Sequence, residues 1–319
     1  MADPAPTIIS GPELISSGNG LVEAPVWHPD LGLIAAETTG GGVWTFNKGQ
    51  PKTMVLPHRR GIGGMVRHAD GGLVVSGRNI AYKNVSAAGE DAGPTIVLLQ
   101  NDPAAGIIGF NDLTTDRMGR IYVGSVGFVA VHAPKSGEAA GAQPGTSHDT
   151  LRQSAEGKSG SLHLIDVDGS ARVVSTDIAL TNGLGFSPSG KILYHSDSVR
   201  QCAYRYDVLP NGDLSGKRVF ARVETGMPDG LAVDEAGFVW IAIAHGSAVA
   251  VFDPQGREVL RIPIPAPMVT SLCFGGPDRR DLYICTGFEG SPDLGGCVLR
   301  ARVGVPGLAL TPAKVRLAK

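Results

Sequence analysis

Charge of either sign is scarce in this 319-residue chain: 28 Lys and Arg stand against 30 Asp and Glu, giving 18% charged residues and a formal net charge of −2. A balance so near zero offers no electrostatic footprint for nucleic acid. The 42% of hydrophobic residues can build the core that a disordered chain lacks. Long apolar runs are missing as well. No stretch approaches the roughly 18 uninterrupted apolar residues that cross a bilayer, and the opening MADPAPTIIS has no basic segment followed by an apolar one. A cytoplasmic protein without nucleic-acid or membrane partners is therefore expected. Cysteines are few, and Cys202, Cys273, Cys285 and Cys297 form no C-x-x-C pair; three lie in apolar runs, where a free thiol behaves as a small hydrophobe. Helical signal is lacking too. No 12-residue window carries an i, i+3, i+4, i+7 apolar stripe free of Gly and Pro, so nothing helical competes with an all-β reading.

Turn residues are abundant, with 45 Gly and 22 Pro. They punctuate one recurring phrase, clearest in MPDGLAVDEAGFVWIA from Met227 to Ala242: a polar residue, a short apolar strand, a D-x-x-G turn and a returning apolar strand. This is the pattern of a β-hairpin. It returns in VEAPVWHPDLGLIAA, GGMVRHADGGLVVS, FNDLTTDRMGRIYVG, TNGLGFSPSGKILYHSD and TSLCFGGPDRRDLYICT. Turn glycines at 32, 72, 119, 190 and 237, with a sixth turn around Asp278 to Asp281, are spaced by 40, 47, 71, 47 and about 43 residues. The period matches the ~40 to 50 residues of a four-stranded blade. We therefore expect a single-domain, all-β, six-bladed β-propeller over residues 1–319. A β-sandwich explains the alternation but not the period. GGVWTFN, TIVLLQ, SLHLID, AYRYDV, AVAVFDP and CVLRARV are expected as third strands, KTMVLP, RVVS and EVLRIPI as fourth strands, and Pro6 to Ile15 as an outer strand that closes the ring. The long interval is assigned to a loop inserted at about 131–160, within the third blade.

The inner strands of a propeller line its central channel, so their equivalent starts converge on one mouth. Asn111, Asn182 and Asp229 stand eight residues before their turn glycines and Glu23 nine before Gly32. Each alone can be a turn or strand-capping residue. Together they bring two carboxylates and amide oxygens to one point, a set suited to a hard divalent cation with positions left open for water and substrate. The second strands return to the same mouth, so Thr38, Arg78, Ser125, Asp197, His245 and Thr286 are expected around it. Arg78 and His245 are candidate substrate-binding residues, although loop-end arginines are commonly just solvated and a histidine in a turn is often structural.

Several motifs, in order over nearly the whole chain, carry a family resemblance: Glu23-Ala24-Pro25-Val26-Trp27, Asn111-Asp112 before Asp116-x-x-Gly119-Arg120, Thr181-Asn182-Gly183, Tyr194-x-x-Asp197-Ser198, Pro228-Asp229-Gly230, and Cys273-Phe274-Gly275-Gly276 before Leu282-Tyr283. The set resembles the SMP-30/gluconolactonase/luciferin-regenerating-enzyme-like family. The resemblance implies a six-bladed propeller, metal ligands at Glu23, Asn182 and Asp229, a substrate-holding Asn111, and hydrolysis of lactones with one divalent ion, Ca²⁺ first and Zn²⁺, Mg²⁺ or Mn²⁺ as alternatives. Sugar-lactone members often carry an Arg two residues before the Asn-Asp pair. Here that place is Gly109, and Arg78 could supply a cation instead.

These readings imply a metal-dependent hydrolase of a cyclic ester, with Asp229 accepting a proton from the attacking water. With Gly109 in place of an arginine and Phe110, Phe128 and Phe288 near the rim, a substrate less polyhydroxylated than gluconolactone is expected. Other chemistry on the same scaffold, such as phosphotriester hydrolysis, ring opening or isomerisation, and a non-catalytic ligand-binding propeller are the alternatives. Gly124-Ser125-Val126-Gly127 only partly echoes a hydrolase G-x-S-x-G elbow and lacks its strand-to-helix turn. The 131–160 insertion leaves from the metal-bearing mouth and is expected to be a mobile lid. Leu151 is its one large aliphatic residue, and His148, Asp149 and Arg152 are candidates to approach the substrate.

Overall fold

A computed structural model of the chain describes residues 5–57, 59, 61–85, 93–128, 148–288 and 294–317. Six four-stranded antiparallel sheets form the six blades of a propeller. The inner strands are Val22–His28, Met65–Arg67, Gly109–Thr115, Thr181–Phe186, Met227–Val233 and Val269–Gly275. Apolar residues of the second and third strands pack with those of the inner strands between neighbouring blades in contiguous clusters, one of which joins Trp240, Val251, Leu272, Ile284 and Leu299. The D-x-x-G turns explain why the repeat is so regular. Asp234 accepts the backbone N–H groups of Ala236 and Phe238 at 3.0 and 2.9 Å, and its second oxygen takes the indole N–H of buried Trp240 at 2.9 Å. Asp116 and Asp253 build the same turn and hold Arg120 and Arg257 by their Nε atoms. A side chain that satisfies turn donors fixes where each strand reverses.

The outer strand Ile8–Asn19 pairs with Gly296–Val303 and completes the sixth blade, as the sequence suggests. Two details differ from expectation. In the second blade the third strand is Ile80–Lys83, and TIVLLQ holds the fourth, Ile96–Leu99; a four-residue link, Ser76 to Asn79, leaves room for a short strand that the stronger apolar run obscures. The insertion also ends in a helix, His148–Ala155. Residues 131–147 of the expected loop lie outside the described residues. After the last strand, residues 304–317 cross the end of the channel opposite the polar strand starts. Leu308 N donates to Val233 O at 2.9 Å, Ala313 N to Arg67 O at 2.8 Å and Lys314 N to Gly119 O at 2.9 Å, so one segment ties the fifth, second and third blades. No helix among the described residues is long and apolar enough to cross a membrane.

Candidate active site at the channel mouth

Five of the six inner strands break register at their polar starts: between Glu23 and Val26, Phe110 and Leu113, Thr181 and Leu184, Pro228 and Leu231, and Val269 and Ser271. Such bulges release a residue from the ladder and re-aim its side chain. They sit where Glu23, Asn111, Asn182 and Asp229 stand. In the second blade, where the strand is short, Gly63 makes room instead: a Cβ there would lie 1.8 Å from Asn111 Oδ1. Glycine is the residue that permits Asn111 to enter the channel.

All four of these residues line one cavity of about 400 Å³. Asn111 Nδ2 donates to Asn182 Oδ1 at 2.6 Å and to Thr181 O at 2.9 Å. Asn182 Nδ2 donates in turn to Ser198 Oγ at 2.7 Å, and the Ser198 hydroxyl donates to Pro228 O at 2.6 Å. This chain crosses three blades and fixes the Asn182 amide with its nitrogen on Ser198 and its oxygen on the opposite side. The carboxylates of Glu23 and Asp229 are held differently, by the neighbouring backbone N–H groups of Ala24 and Gly230. Burial pushes Glu23 well above the usual carboxylate range, and the charges of Asp229 and then Asp112 push it further; Asp229 is raised by burial first and Asp112 second. Burial also pushes Asp112 up to about 7. No guanidinium or ammonium opposes these acids in the interactions that shift them.

A donor set of two carboxylates and an oriented amide oxygen, with like charges converging and no counter-charge among them, fits a hard divalent cation. Because one donor is an amide, no group of three or more His, Cys, Asp or Glu side chains forms a metal cluster among the described residues.

Arg78 and Thr38 line the cavity, as expected. His245 does not. It lies one residue beyond the lining residue Ala244, in a turn where His245 and Ser247 have φ of 56° and 49°, and the turn carries it off the lining surface. Ser125, Asp197 and Thr286 are buried behind the wall. Asp197 accepts Ala179 N and Leu180 N at 3.0 and 3.1 Å, Ser125 Oγ accepts Ser161 N at 3.0 Å, and Thr286 Oγ1 accepts Cys297 N at 2.8 Å. Ser198 and Asp112 are the residues that position and charge reasoning on the sequence overlooked; both sat within quoted motifs, next to Asp197 and Asn111.

Most of the rest of the wall is apolar and includes Phe110, Phe128, Leu151, Leu180, Met227 and Met268. Phe288 packs against the same group from outside. Leu151 and Ala155, spaced four apart on one helical face, seat the helix on Phe128, Leu180, Met227, Ala244 and Met268. His148 Nε2 lies 3.0 Å from Val199 O, while Asp149 and Arg152 are exposed. The helix thus turns its apolar residue to the cavity and its charges to solvent, against the expectation that the charges approach the substrate.

A family model for the SMP-30/gluconolactonase/LRE-like region matches residues 21–288. The chain is 32% identical over 302 residues to a 6-deoxy-6-sulfogluconolactonase of Pseudomonas putida, covering 91% of this chain and 93% of that protein. It is 28% identical over 316 residues to the pentonolactonase XacC of Haloferax volcanii, covering 93% and 96%. In structure it superposes on a luciferin-regenerating enzyme with a TM-score of 0.79 at 23% identity, over 98% of this chain and 100% of the other, a likeness of fold.

Proposed function

The chain belongs to the SMP-30/gluconolactonase/LRE-like family, and from that membership we propose that it is a divalent-metal-dependent lactonase whose substrate carries fewer hydroxyls than gluconolactone. The observation that carries the proposal is the convergence of Glu23, Asn182, Asp229 and Asn111 on one cavity. Glu23, Asn182 and Asp229 would hold the ion, Ca²⁺ by preference for oxygen donors. When bound, it supplies Lewis-acid polarisation of the ester carbonyl. Asn111 and Arg78 face the substrate. Asp229 takes the proton of the water whose oxygen attacks the carbonyl carbon; the ring C–O bond then breaks, and Asp229 returns the proton to the departing oxygen, which leaves as an alcohol. Related lactonases act on sugar lactones by name, whereas this cavity wall is mostly apolar, which supports a less hydroxylated ring. The test is proton release from a panel of lactones, with and without EDTA. Metal-dependent turnover with gluconolactone well below the best substrate is the expected result. Turnover unaffected by EDTA removes the metal assignment, and gluconolactone as best substrate removes the specificity.

A further inference from the structure

Among the described residues that line the cavity, Arg78 is the only cation. It is exposed and makes no hydrogen bond or ion pair with another described residue, whereas most other arginines of the molecule are tied to aspartates or glutamates, as Arg120, Arg218, Arg257 and Arg302 are. Its backbone, by contrast, is pinned on both sides. Gly77 exchanges hydrogen bonds with Phe110, with N to O distances of 3.2 and 2.7 Å. The half-buried Arg59 guanidinium donates to Ser76 O at 3.3 Å, Asn79 O at 2.9 Å and Asn79 Oδ1 at 2.8 Å. A pinned backbone therefore carries an uncommitted guanidinium at the rim of the cavity, an arrangement that lowers the ordering cost of gripping a ligand. Gly109 belongs to the same arrangement. A Cβ there would stand 3.0 Å from Gly77 O and 3.7 Å from Arg78 Cα, so the link that carries Arg78 fills the space a side chain at 109 would need.

Charge balance gives the ligand its sign. The charged lining residues are Glu23, Asp229 and Arg78. A divalent cation offsets the Glu23 and Asp229 carboxylates, and Asp112, whose charge reaches both, stands outside the lining, so the guanidinium is the lining charge left to meet a ligand, beside a wall of Phe110, Phe128, Leu151, Met227 and Met268. Building on the lactonase reading, we infer that Arg78 recognises an anionic group and that the substrates are lactones bearing one negative charge, a carboxylate or sulfonate, on an apolar body. Arginine grips such groups with two parallel N–H donors, which a neutral hydroxyl cannot match.

Two cyclic ethers with no ester to cleave test this: tetrahydropyran-2-carboxylate and its neutral partner tetrahydropyran-2-methanol, titrated calorimetrically into the calcium-loaded protein. The carboxylate is expected to bind at least tenfold more tightly than the alcohol. R78M should bring the two within about twofold, and R78K should keep an intermediate preference that weakens with added salt. Equal affinities in the unmodified protein, or a preference that survives R78M, overturns the inference. Lactone turnover is read separately by proton release, so loss of the anion preference and loss of the lactonase reading are distinguishable.

Discussion

An amide can serve a metal only through its oxygen, so whatever holds its nitrogen decides whether it is a ligand. In Asn182 that holder is Ser198, 2.7 Å away, itself fixed by Pro228 O. Ser198→Ala removes it. We expect calcium affinity, measured by calorimetry, to fall about tenfold, the usual range for losing a residue that orients a ligand, with far-UV dichroism unchanged; unaltered affinity would show that Asn182 does not need this support. Glu23→Gln and Asp229→Asn each remove a charge that the ion balances, and both should lower kcat/KM by more than about 100-fold while the β-rich spectrum persists. Chelation should also lower Tm in the unmodified protein, because ligand binding to the folded state alone is stabilising. Histidine 195 offers a test independent of the ion. It is fully buried, with Nε2 2.9 Å from Thr181 Oγ1 and no partner for Nδ1, and burial pulls its pKa from 6.5 to about 3. Its folded pKa is depressed, so the unfolded chain binds a proton that the folded chain refuses. The stability it contributes is full above pH 6.5 and lost progressively towards pH 3, at about 1.4 kcal/mol per pH unit. His195→Gln should flatten the fall of Tm between pH 7 and 5; an unchanged slope would assign the acid sensitivity to other groups.

Strand positions were legible in the sequence because two chemical rules repeat: apolar alternation with a period of two and an aspartate that satisfies its own turn, as Asp116, Asp234 and Asp253 do. The polar starts were legible through their distance to the turn glycines, eight residues for Asn111, Asn182 and Asp229 and nine for Glu23. The bulges that aim them were not, since a register break between Pro228 and Leu231 leaves no mark on residue type. The helix His148–Ala155 was illegible for another reason. Eight residues are too short to be helical on their own, and its stability comes from seating Leu151 and Ala155 on Phe128, Met227 and Met268, contacts between distant blades. That seat makes the helix a wall of the cavity. Leu151→Asp should undock it, raising KM for an apolar lactone by up to about 30-fold, the equivalent of the ~2 kcal/mol of a buried leucine, while the propeller's own clusters keep Tm within a few degrees. A variant with the parental KM would reduce the helix to a surface spacer.

At the scale of the whole molecule, a ring of blades must be closed, and the two ends of the chain close it in different ways. Residues 8–19 supply a strand: without Ile8–Asn19 the strand Gly296–Val303 becomes an open edge, with its backbone donors and acceptors free to pair with another copy. Residues 304–317 supply a strap instead. They add no strand to any blade, so the periodic reading had no place for them, yet Val305, Ala313 and Val315 are buried and His68 Nε2 lies 2.9 Å from Val315 O. The difference predicts two distinct failures. Ending the chain after Gly304 removes those apolar contacts, about 4 kcal/mol in all, and should lower Tm by on the order of 10 °C while leaving the elution volume and the β spectrum of the unmodified protein. Removing residues 1–19 takes away a whole ladder, and size-exclusion chromatography should show larger oligomers or aggregate than the unmodified protein gives. Were the first truncation to aggregate and the second to keep the parental elution volume and fold, the strap would be the closure of the ring and the outer strand an ornament to it, which the hydrogen bonding between the first and last strands argues against.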